Sequence, residues 1–363
     1  MNITLVISSL TGGGAERVMS IIANYWVSNE NTVTLITLDS KKNDFYSIDM
    51  RVRRIGLDLI FDSTSFFSAL KNNYVRLMKL RYAIRSAQPN VVISFEDTTN
   101  IMTLLSVLGL HVPVIVSERS DPRYHSITSI YARLRNLLYP LADAVVVQTD
   151  VVGDWASELV PANRVHVIPN PVMPFEQTDN AVTQLDISPP FIVALGRLVP
   201  LKGFDLLLKA FARSRYDDWS LVIIGEGHER RNLEILIKQL DLETHVYLPG
   251  RIKEPNNILM QADLFVLSSQ YEGFPNALLE AMSCGLAVIS FDCPSGPGVL
   301  IINGENGILV PPMNVDRLSA AMIKLMYDED LRKKLGGRAR NVVDEFSVKK
   351  IMRMWDELIN KVI

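Results

Sequence analysis

Two glutamates, Glu272 and Glu280, have the side-chain chemistry to bind hydroxyl groups. Glu272 precedes a predicted helix over Asn276–Cys284, and Glu280 lies inside that helix among apolar residues. A helix that is apolar on most faces is buried, and a buried carboxylate must be paired or hydrogen-bonded. Pro275 suits the first turn of this helix, because its φ is fixed and it leaves no N–H unpaired. The backbone amides of Gly273–Ala277 gather at the helix start, where anions bind well. A ribose diol on Glu280, a sugar hydroxyl on Glu272 and a phosphate on the amides would together bind a sugar nucleotide.

A simpler explanation of both carboxylates stays open. Glu280 could pair with a nearby arginine, because buried ion pairs produce the same pattern, and Glu272 could be a solvated helix cap. Two cations, Arg197 and Lys202, follow the predicted strand Phe191–Leu195. Fixed cations at the carboxyl end of a strand can neutralise a departing diphosphate, as a metal ion does in other enzymes. A cation pair in a loop is also common on a solvated surface, so it gains weight only beside the two glutamates.

Three glycines follow the first predicted strand and precede a helix, within the run Thr11–Glu16. Glycine lets the backbone approach a ligand closely, and a helix N-terminus favours phosphate. The run is not a G-x-G-x-x-G fingerprint, and Asp39 is the only acidic candidate for a ribose after the second strand. A tight turn without a ligand is the alternative. Gly225–Arg230 resembles half of a dinucleotide fingerprint, but arginine takes its third glycine position, so we interpret it as a strand–helix turn.

The composition predicts a soluble globular protein of two domains. Its 363 residues exceed one ordinary core, and hydrophobic residues make up 48% and charged residues 21%. The net charge of −3 gives no indication of nucleic-acid binding. Cys284 and Cys293 are the only cysteines, which indicates a reducing compartment without a disulfide framework. The N-terminus runs directly into a strand, so we expect no signal peptide, and the apolar run Ile101–Val116 is too short to cross a bilayer.

The sequence contains no metal-ligand pattern. The five histidines have no ligand spacing, and Asp328–Asp330 imitates the D-x-D of metal-dependent transferases. That triplet precedes a basic helix, and acidic residues stabilise a helix N-terminus, so a helix cap is its predicted role. We therefore expect no metal and no other cofactor.

Short apolar runs alternate with amphipathic stretches along the chain, which is typical of βαβ units and parallel sheets. A proline-rich polar segment at residues 171–190 indicates a linker between two such series. The predicted class is α/β, with two doubly wound Rossmann-like domains, residues 1–170 and 191–345, facing across a crevice. The predicted strands are Ile3–Ile7, Val33–Thr37, Arg53–Ile55, Val91–Ser94, Val114–Val116, Ala144–Val147, Val165–Ile168, Phe191–Leu195, Leu221–Ile224, Val246–Leu248, Leu264–Leu267, Ala287–Phe291 and Gly307–Val310.

The run Gly196–Pro312 resembles the donor domain of retaining GT-B glycosyltransferases of family GT4. The matching segments stand in the family's order and spacing: GRLVPLKG, IIGEGHERRNLE, LPGR, the E-x7-E pair of EGFPNALLE, AMSCGLAVIS and NGILVPP. The GGGAER run is similar to the family's Gly-Gly-x-Glu loop, so the resemblance covers nearly the whole chain. It implies a GT-B fold with an acceptor-binding first domain and a nucleotide-sugar-binding second domain. Residues 346–363 would cross back onto the first domain.

The resemblance also implies roles for individual residues. Arg197 and Lys202 would hold the donor diphosphate and Glu272 the sugar, and these three are the candidate catalytic residues. Glu280 would hold the ribose, the glycine-rich loop would close over the pyrophosphate, and Arg251 would flank the base. The reaction would retain configuration by front-side attack within an ion pair, without metal. The candidate donor-binding residues are Gly13, Gly14, Arg251, Gly273, Phe274, Pro275, Asn276 and Glu280.

Two loops of the first half, Ser94–Asn100 and Ser117–Pro122, look like acceptor-side loops of family members that build bacterial surface polysaccharides and lipid-linked oligosaccharides. Many relatives carry a histidine where this chain has Arg119, which cannot act as a base at neutral pH. Asp97 is favoured for contacting the acceptor. The acceptor-side candidates are Asp97, Glu118, Arg119 and Asp121.

A basic amphipathic helix is predicted at residues 66–85. No acidic residue lies between Ser63 and Phe95, and the cations there are Lys71, Arg76, Lys79, Arg81 and Arg85. Apolar residues recur at helical spacing: Phe66, Phe67, Leu70, Tyr74, Leu77 and Ile84. Such a helix can lie on an anionic membrane, and an ordinary domain helix is the alternative. The resemblance favours peripheral contact with the inner face of the cytoplasmic membrane, to which three more residues would add: Tyr131, Arg133 and Arg135.

We therefore expect a glycosyltransferase that moves a hexose or N-acetylhexosamine from a nucleotide sugar to a saccharide on a polyprenyl diphosphate. UDP is the expected nucleotide by family habit, and bacterial glycan assembly is the expected setting. Two alternatives stay open. A sugar-nucleotide epimerase or hydrolase of the same fold would act with no acceptor present. A non-catalytic sugar-nucleotide-binding subunit would bind UDP but turn nothing over.

Overall fold

The computed structural model describes residues 1–60, 66–125, 127–174, 187–214 and 218–363, with the backbone alone for residues 66–69. The chain divides into two compact units. The first comprises Met1–Pro171 together with Val348–Ile363, and the second comprises Val172–Ser347. Much of the predicted linker at residues 171–190 lies outside the described residues.

The first unit is built on a seven-stranded sheet whose strands are all parallel. Its strands are buried on both faces, as their continuous apolar sequences require. The spatial order is β3-β2-β1-β4-β5-β6-β7, so the direction of strand addition reverses between β1 and β4. The strands are β1 (Asn2–Ile7), β2 (Thr32–Thr37), β3 (Arg53–Gly56), β4 (Val91–Phe95), β5 (Val114–Ser117), β6 (Ala144–Val147) and β7 (Val165–Val167).

Helices connect these strands and cover the faces of the sheet. They are α1 (Gly14–Ser28), α2 (Phe66–Ala87), α3 (Asp97–Val107), α4 (Ser129–Leu138) and α5 (Asp150–Ser157). The helix α2 packs on α3, which in turn packs on α4.

The second unit repeats this design with six parallel strands in the order β10-β9-β8-β11-β12-β13. Here the reversal falls between β8 and β11. The strands are β8 (Phe191–Leu195), β9 (Ser220–Ile224), β10 (Val246–Gly250), β11 (Leu264–Leu267), β12 (Ala287–Phe291) and β13 (Ile308–Val310). Both sheets confirm the predicted α/β class with two doubly wound domains, and every strand lies within two residues of its predicted bounds.

The helices of the second unit flank its sheet and enclose a separate hydrophobic core. They are α6 (Phe204–Ser214), α7 (Arg230–Gln239), α8 (Asn256–Leu259), α9 (Asn276–Ser283), α10 (Pro297–Leu300), α11 (Val315–Tyr327), α12 (Glu329–Ala339) and α13 (Val342–Glu345).

The last helix, α14 (Val348–Val362), belongs to the first unit. Its Trp355 is 1% exposed and makes an edge contact with Trp26 of α1, at 6.3 Å between ring centroids. On another side, Trp355 lies 6.1 Å from Phe95 at the end of β4. The Trp26 indole Nε1 donates a hydrogen bond of 2.7 Å to Asp356. Large aromatic side chains therefore anchor α14 beside the carboxyl end of β4.

The carboxyl ends of parallel strands lie at one edge of a sheet, and ligands favour the point where strand order reverses. Each sheet has such a point. In the first unit it is flanked by the loops after β1 and β4, and in the second by the loops after β8 and β11.

Candidate active site

In the second unit, the loops after β8 and β11 are held tightly together. A Cβ on Gly203 would overlap the backbone carbonyl oxygen of Ser268, and Gly203 has a φ of 61°, so glycine is required there. The Ser268 hydroxyl donates to the Lys202 carbonyl at 2.9 Å, and the Gln270 amide donates to the Leu201 carbonyl at 2.9 Å. Side chains from two separate loops are thereby fixed at one place.

This contact joins the predicted residues Lys202 and Glu272. Lys202 Nζ lies 2.6 Å from Glu272 Oε1, and the two side chains are 19% and 10% exposed. The Ser269 hydroxyl donates to the same Glu272 oxygen at 2.6 Å. Glu272 is thus a sheltered, ion-paired carboxylate, which excludes the alternative of a solvated cap.

The helix α9 begins beside this pair. The helix begins at Asn276, as predicted, and Pro275, with a ψ of 80°, is its N-cap residue and not part of the first turn. Among the described residues, the backbone amides of Gly273, Phe274 and Ala277 donate to no protein acceptor. Open amides at a helix N-terminus favour an anion.

Two further predicted residues of this segment are buried. Glu280 is 6% exposed within α9, which confirms that this carboxylate is buried. The Phe274 ring is 7% exposed and lies 6.0 Å from the ring of Phe346, so the Phe274 side chain anchors the loop, and only its backbone can face a ligand.

The two predicted arginines of this unit are exposed. Arg197 follows β8, and no ion pair holds it within the part of the chain that the structure describes. Burial and the charge of Glu272 raise the pKa of Tyr271, and Arg197 opposes this rise, which places Arg197 in the electrostatic range of the same loop. Arg251 follows β10, the edge strand of the sheet.

In the first unit, the glycine-rich loop joins β1 to α1. Gly13 is the N-cap residue and Gly14 the first residue of α1. The buried Glu16 carboxylate folds back beneath the loop, where it accepts a hydrogen bond of 2.8 Å from Ser9. A Cβ on Gly13 would overlap Glu16 Oε2, so a larger residue at position 13 would displace that carboxylate.

Asp97, the favoured acceptor contact, begins α3 and is bound by two donors. His125 Nε2 lies 3.3 Å from Asp97 Oδ2, and the Thr98 amide donates to Asp97 Oδ1 at 2.5 Å. Burial opposes ionisation of Asp97, but the hydrogen bonds from His125 and Thr98 outweigh it and hold its pKa below the usual value. The bond to Asp97 raises the pKa of His125, whose side chain is 43% exposed.

The prediction that Glu118 contacts an acceptor does not fit its position. Glu118 is 2% exposed, Tyr139 OH donates to its carboxylate at 3.0 Å, and Arg135 lies at 3.4 Å. Burial raises its pKa to about 7, with a further contribution from the charge of Asp97. Glu118 therefore belongs to an interior network beneath the loop after β5.

The Arg119 side chain also stabilises the loop that carries it. Its guanidinium carbon lies 4.2 Å from the centre of the Phe95 ring, and it donates to Asn170 at 2.5 Å. Burial lowers the pKa of Arg119 to about 9, although the nearby Glu96 favours the charged form. Asp121 is fully buried and accepts hydrogen bonds from Arg123, so the loop is bound at several points.

Sequence reasoning missed Glu96, which follows β4 directly. It has a φ of 75° and accepts a hydrogen bond from the Ser8 hydroxyl, which follows β1. The sequence does carry one signal for Glu96. It is a carboxylate one position beyond a buried strand, and the end of that strand lies opposite the end of a second strand.

The basic helix α2 turns a different face outward than predicted. Ile84 is fully buried and Leu77 packs against the core, whereas Leu70 and Tyr74 are exposed; the side chains of Phe66 and Phe67 lie outside the described residues. The exposed apolar stripe, with fractions of 48–75%, is Leu70, Tyr74, Met78 and Tyr82.

The cations of α2 divide in the same way. Arg76 and Arg81 bond to backbone carbonyl groups of the first unit, at Leu59 and at Ser106 and Leu108. The exposed cations are Lys71, Lys79 and Arg85. On α4, Arg135 is buried and Tyr131 packs against the core, so only Arg133 of the predicted additional residues is exposed.

The D-x-D-like triplet is a helix cap, as predicted. The Asp328 side chain accepts a hydrogen bond of 2.8 Å from the Leu331 amide at the start of α12. In the described ranges, no group of three or more histidine, cysteine, aspartate or glutamate residues is placed to hold a metal ion. The described helices include none with the length and apolar character needed to span a membrane.

Comparison with known proteins agrees with this architecture. Residues 12–174 match the model of "Glycosyltransferase Family 4" and residues 175–342 match that of "Glycosyl transferases group 1". The chain therefore belongs to the family 4 glycosyltransferases, a class of two-domain transferases, and it is a glycosyltransferase.

Two bacterial relatives align along almost the full length of this chain. An α-1,4-N-acetyl-D-galactosaminyltransferase of Campylobacter jejuni, named for its substrate GalNAc-α-(1→4)-GalNAc-α-(1→3)-diNAcBac-PP-undecaprenol, is 28% identical over 100% of this chain and 99% of its own. The amylovoran biosynthesis glycosyltransferase AmsD of Erwinia amylovora is 25% identical over 96% of each chain.

Among solved structures, Anabaena HepE in complex with UDP and glucose superposes with a TM-score of 0.81 at 19% identity, over 99% of both chains. This likeness shows the shared GT-B fold.

Proposed function

We propose that this enzyme moves a hexose or N-acetylhexosamine from a UDP-sugar to a saccharide carried on a polyprenyl diphosphate, with retention of configuration. The observation that carries the proposal is the Lys202–Glu272 pair at the β8/β11 reversal point, beside the open amides that begin α9. One position offers a cation and amides for a diphosphate, and a carboxylate for a sugar hydroxyl.

The donor diphosphate would compete with Glu272 for Lys202. Lys202 and Arg197 neutralise the diphosphate, and Glu272, released from its ion pair, accepts a hydrogen bond from the transferred sugar. Glu280 takes the ribose hydroxyls, and Gly13, Gly14, Arg251 and the Gly273–Asn276 segment complete the proposed donor contacts. Phe274 contributes through its backbone, because its side chain is buried, and Pro275 has no N–H to donate.

The chemical step then exchanges one C1–oxygen bond for another. The bond between C1 and the diphosphate oxygen breaks, and its electron pair leaves with the nucleotide. The acceptor hydroxyl bonds to C1 on the face that the nucleotide leaves, and its proton passes to a diphosphate oxygen. Two cations beside the leaving group stabilise its charge, so we propose that the step needs no metal ion.

The relatives support the two substrates. The Campylobacter enzyme is named for an undecaprenyl-diphosphate-linked saccharide acceptor, and HepE was crystallised with UDP and glucose. An exposed apolar stripe flanked by cations on α2 fits an acceptor that resides in an anionic membrane, with peripheral binding at its inner face.

The proposal is tested by measuring nucleotide release from UDP-, GDP- and ADP-sugars, with and without a polyprenyl-diphosphate saccharide, in the presence of EDTA. We expect release from a UDP-sugar that depends on the acceptor and survives EDTA. Release without an acceptor would instead support an epimerase or hydrolase. UDP binding with no release in a broad acceptor panel would support a non-catalytic subunit, and loss of release in EDTA would contradict the metal-free step.

A further inference from the structure

Glu96 lies at the reversal point of the first sheet. The parallel register aligns Val6 of β1 with Ser94 of β4, so Ser8 and Glu96 stand opposite each other just beyond the two strand ends. The Ser8 hydroxyl donates to Glu96 Oε2, and the Glu96 amide donates to the Ser117 carbonyl at 3.1 Å. The carboxyl group is thus fixed between the ends of β1, β4 and β5, where doubly wound sheets favour a ligand.

The backbone at Glu96 adopts a conformation that side chains disfavour. Its φ is 75° and its ψ is 142°. A residue with a Cβ is strained in this region, and such strain is concentrated at ligand-binding positions, where the surrounding structure holds it. In this conformation the Glu96 side chain reaches Ser8, just beyond β1.

The charges around this carboxyl group are mostly acidic. Glu16 of α1 and Asp97 of α3 both disfavour its ionised form, and burial raises its pKa to about 7. Arg119, from the loop after β5, is committed to Phe95 and Asn170, and Glu96 makes no ion pair within the described ranges. Ser8 donates to the Glu96 carboxyl group through both its hydroxyl and its backbone N–H, and a carboxylate can accept about four hydrogen bonds, so it can take a further donor.

We infer that Glu96 binds a hydroxyl group of the acceptor's sugar, with its carboxylate as the hydrogen-bond acceptor. The ligand is a saccharide rather than a phosphate, because the carboxylates of Glu96 and Asp97 would repel an anion, whereas a carboxylate accepts a hydrogen bond from a hydroxyl group. This inference rests on the proposed function and names the part of the acceptor that the first unit holds.

Ionisation of Glu96 should make saccharide binding depend on pH. A group with a pKa of about 7 is about one-tenth ionised at pH 6 and about nine-tenths ionised at pH 8. The carboxylate accepts a stronger hydrogen bond from a hydroxyl than the neutral acid does. Saccharide binding should therefore strengthen by up to about tenfold between these pH values.

The test is a binding titration without donor, using a short-chain prenyl-diphosphate disaccharide, at pH 6, 7 and 8. We expect Glu96→Gln to bind this probe at least tenfold more weakly at pH 8 and to lose the dependence on pH. Prenyl diphosphate without sugar should bind equally to the wild type and the variant. Glu30 is the matched control, since it also has a positive φ, of 63°, but is exposed at the end of α1. Glu30→Gln should bind like the wild type.

Glu96→Gln should fold at least as well as the wild type above pH 7. The folded protein retains the Glu96 proton up to about pH 7, whereas an unfolded glutamate loses it near 4.5, so the wild type loses stability as pH rises through this interval. Unchanged saccharide binding by Glu96→Gln, or a loss of equal size at every pH, would overturn the inference. Because the titration needs no turnover, it gives this result whether or not the transfer assay supports the proposed function.

Discussion

At the scale of single residues, the most informative feature is the ion pair between Lys202 and Glu272. The pair is mostly buried, so it contributes to folding as well as to the proposed chemistry. Removing one member would leave a sheltered charge unpaired, and this costs more than the pair itself contributes. A loss of activity in a single variant would therefore mix two effects.

A double-mutant cycle separates these effects. Lys202→Met should lower the free energy of unfolding by roughly 2 kcal/mol, because Ser269 is then the only donor to the Glu272 carboxylate among the residues that the structure describes. The same change should reduce transfer at least about 100-fold. The Lys202→Met/Glu272→Gln double variant should recover most of the stability and none of the transfer. Urea unfolding and initial rates of nucleotide release measure the two quantities.

The control for this cycle is Lys209→Met, which breaks the more exposed pair with Asp205. It should change stability by less than about 0.5 kcal/mol and leave transfer unchanged. A double variant that regains transfer would remove Lys202 from the proposed catalytic group.

Single residues also show which parts of the site can be predicted from the sequence and which cannot. The strand–loop pattern located Lys202 and Glu272, because their place depends on the ends of two strands that can be recognised from apolar runs. The burial of Glu118 depends on Tyr139, 21 positions away, and on Arg135, which come together only through packing of α4. The strain at Glu96 depends on its fit to Ser8, 88 positions away, and has no local sequence signature.

At the scale of elements, α2 has two faces of different character. Its inner face, with Leu80 and Ile84, belongs to the core of the first unit. Its outer face carries the apolar stripe between exposed cations. Periodicity predicted the helix but not the outward face, because apolar residues occur around most of its circumference and tertiary packing selects which of them are buried.

The outer face of α2 leads to a prediction about membranes. Tyr74→Ser combined with Tyr82→Ser should weaken binding to vesicles that contain phosphatidylglycerol by at least about tenfold, because two exposed rings lose their burial in the interface. Flotation of protein with vesicles measures this, and binding should fall further as salt is raised. Transfer to a water-soluble short-chain acceptor should persist.

An equal number of apolar residues removed from the second unit gives the control. Ile235→Ser with Ile302→Ser, both exposed, should leave vesicle binding unchanged. Equal loss in the two double variants would assign the binding to general surface hydrophobicity and contradict a specific role for α2.

At the scale of the whole molecule, each unit has its own parallel sheet and its own core, so the two need not unfold together. The tryptophans allow each unit to be followed separately. Trp219 is the only tryptophan of the second unit, while the first unit contains Trp26, Trp155 and Trp355.

UDP should therefore act unequally on the two units. At 100 times its Kd, a ligand adds about 2.7 kcal/mol to the unit that binds it. We expect the denaturant midpoint seen through Trp219 to rise with UDP by more than the midpoint seen in a Trp219→Phe variant, which reports the first unit. A larger rise in the first unit would contradict the assignment of the donor site to the loops after β8 and β11.

The position of α14 in the chain has a consequence for synthesis on the ribosome. Trp355 covers the aromatic surface around Trp26 and Phe95, and it is translated only after the whole of Val172–Ser347. This surface therefore stays uncovered until then. At about 5–20 residues per second, this delay is on the order of ten to forty seconds. During that time the second unit can complete its core while the first cannot, so the part of the enzyme translated first is the last to finish folding, and its uncovered rings are a natural binding site for chaperones.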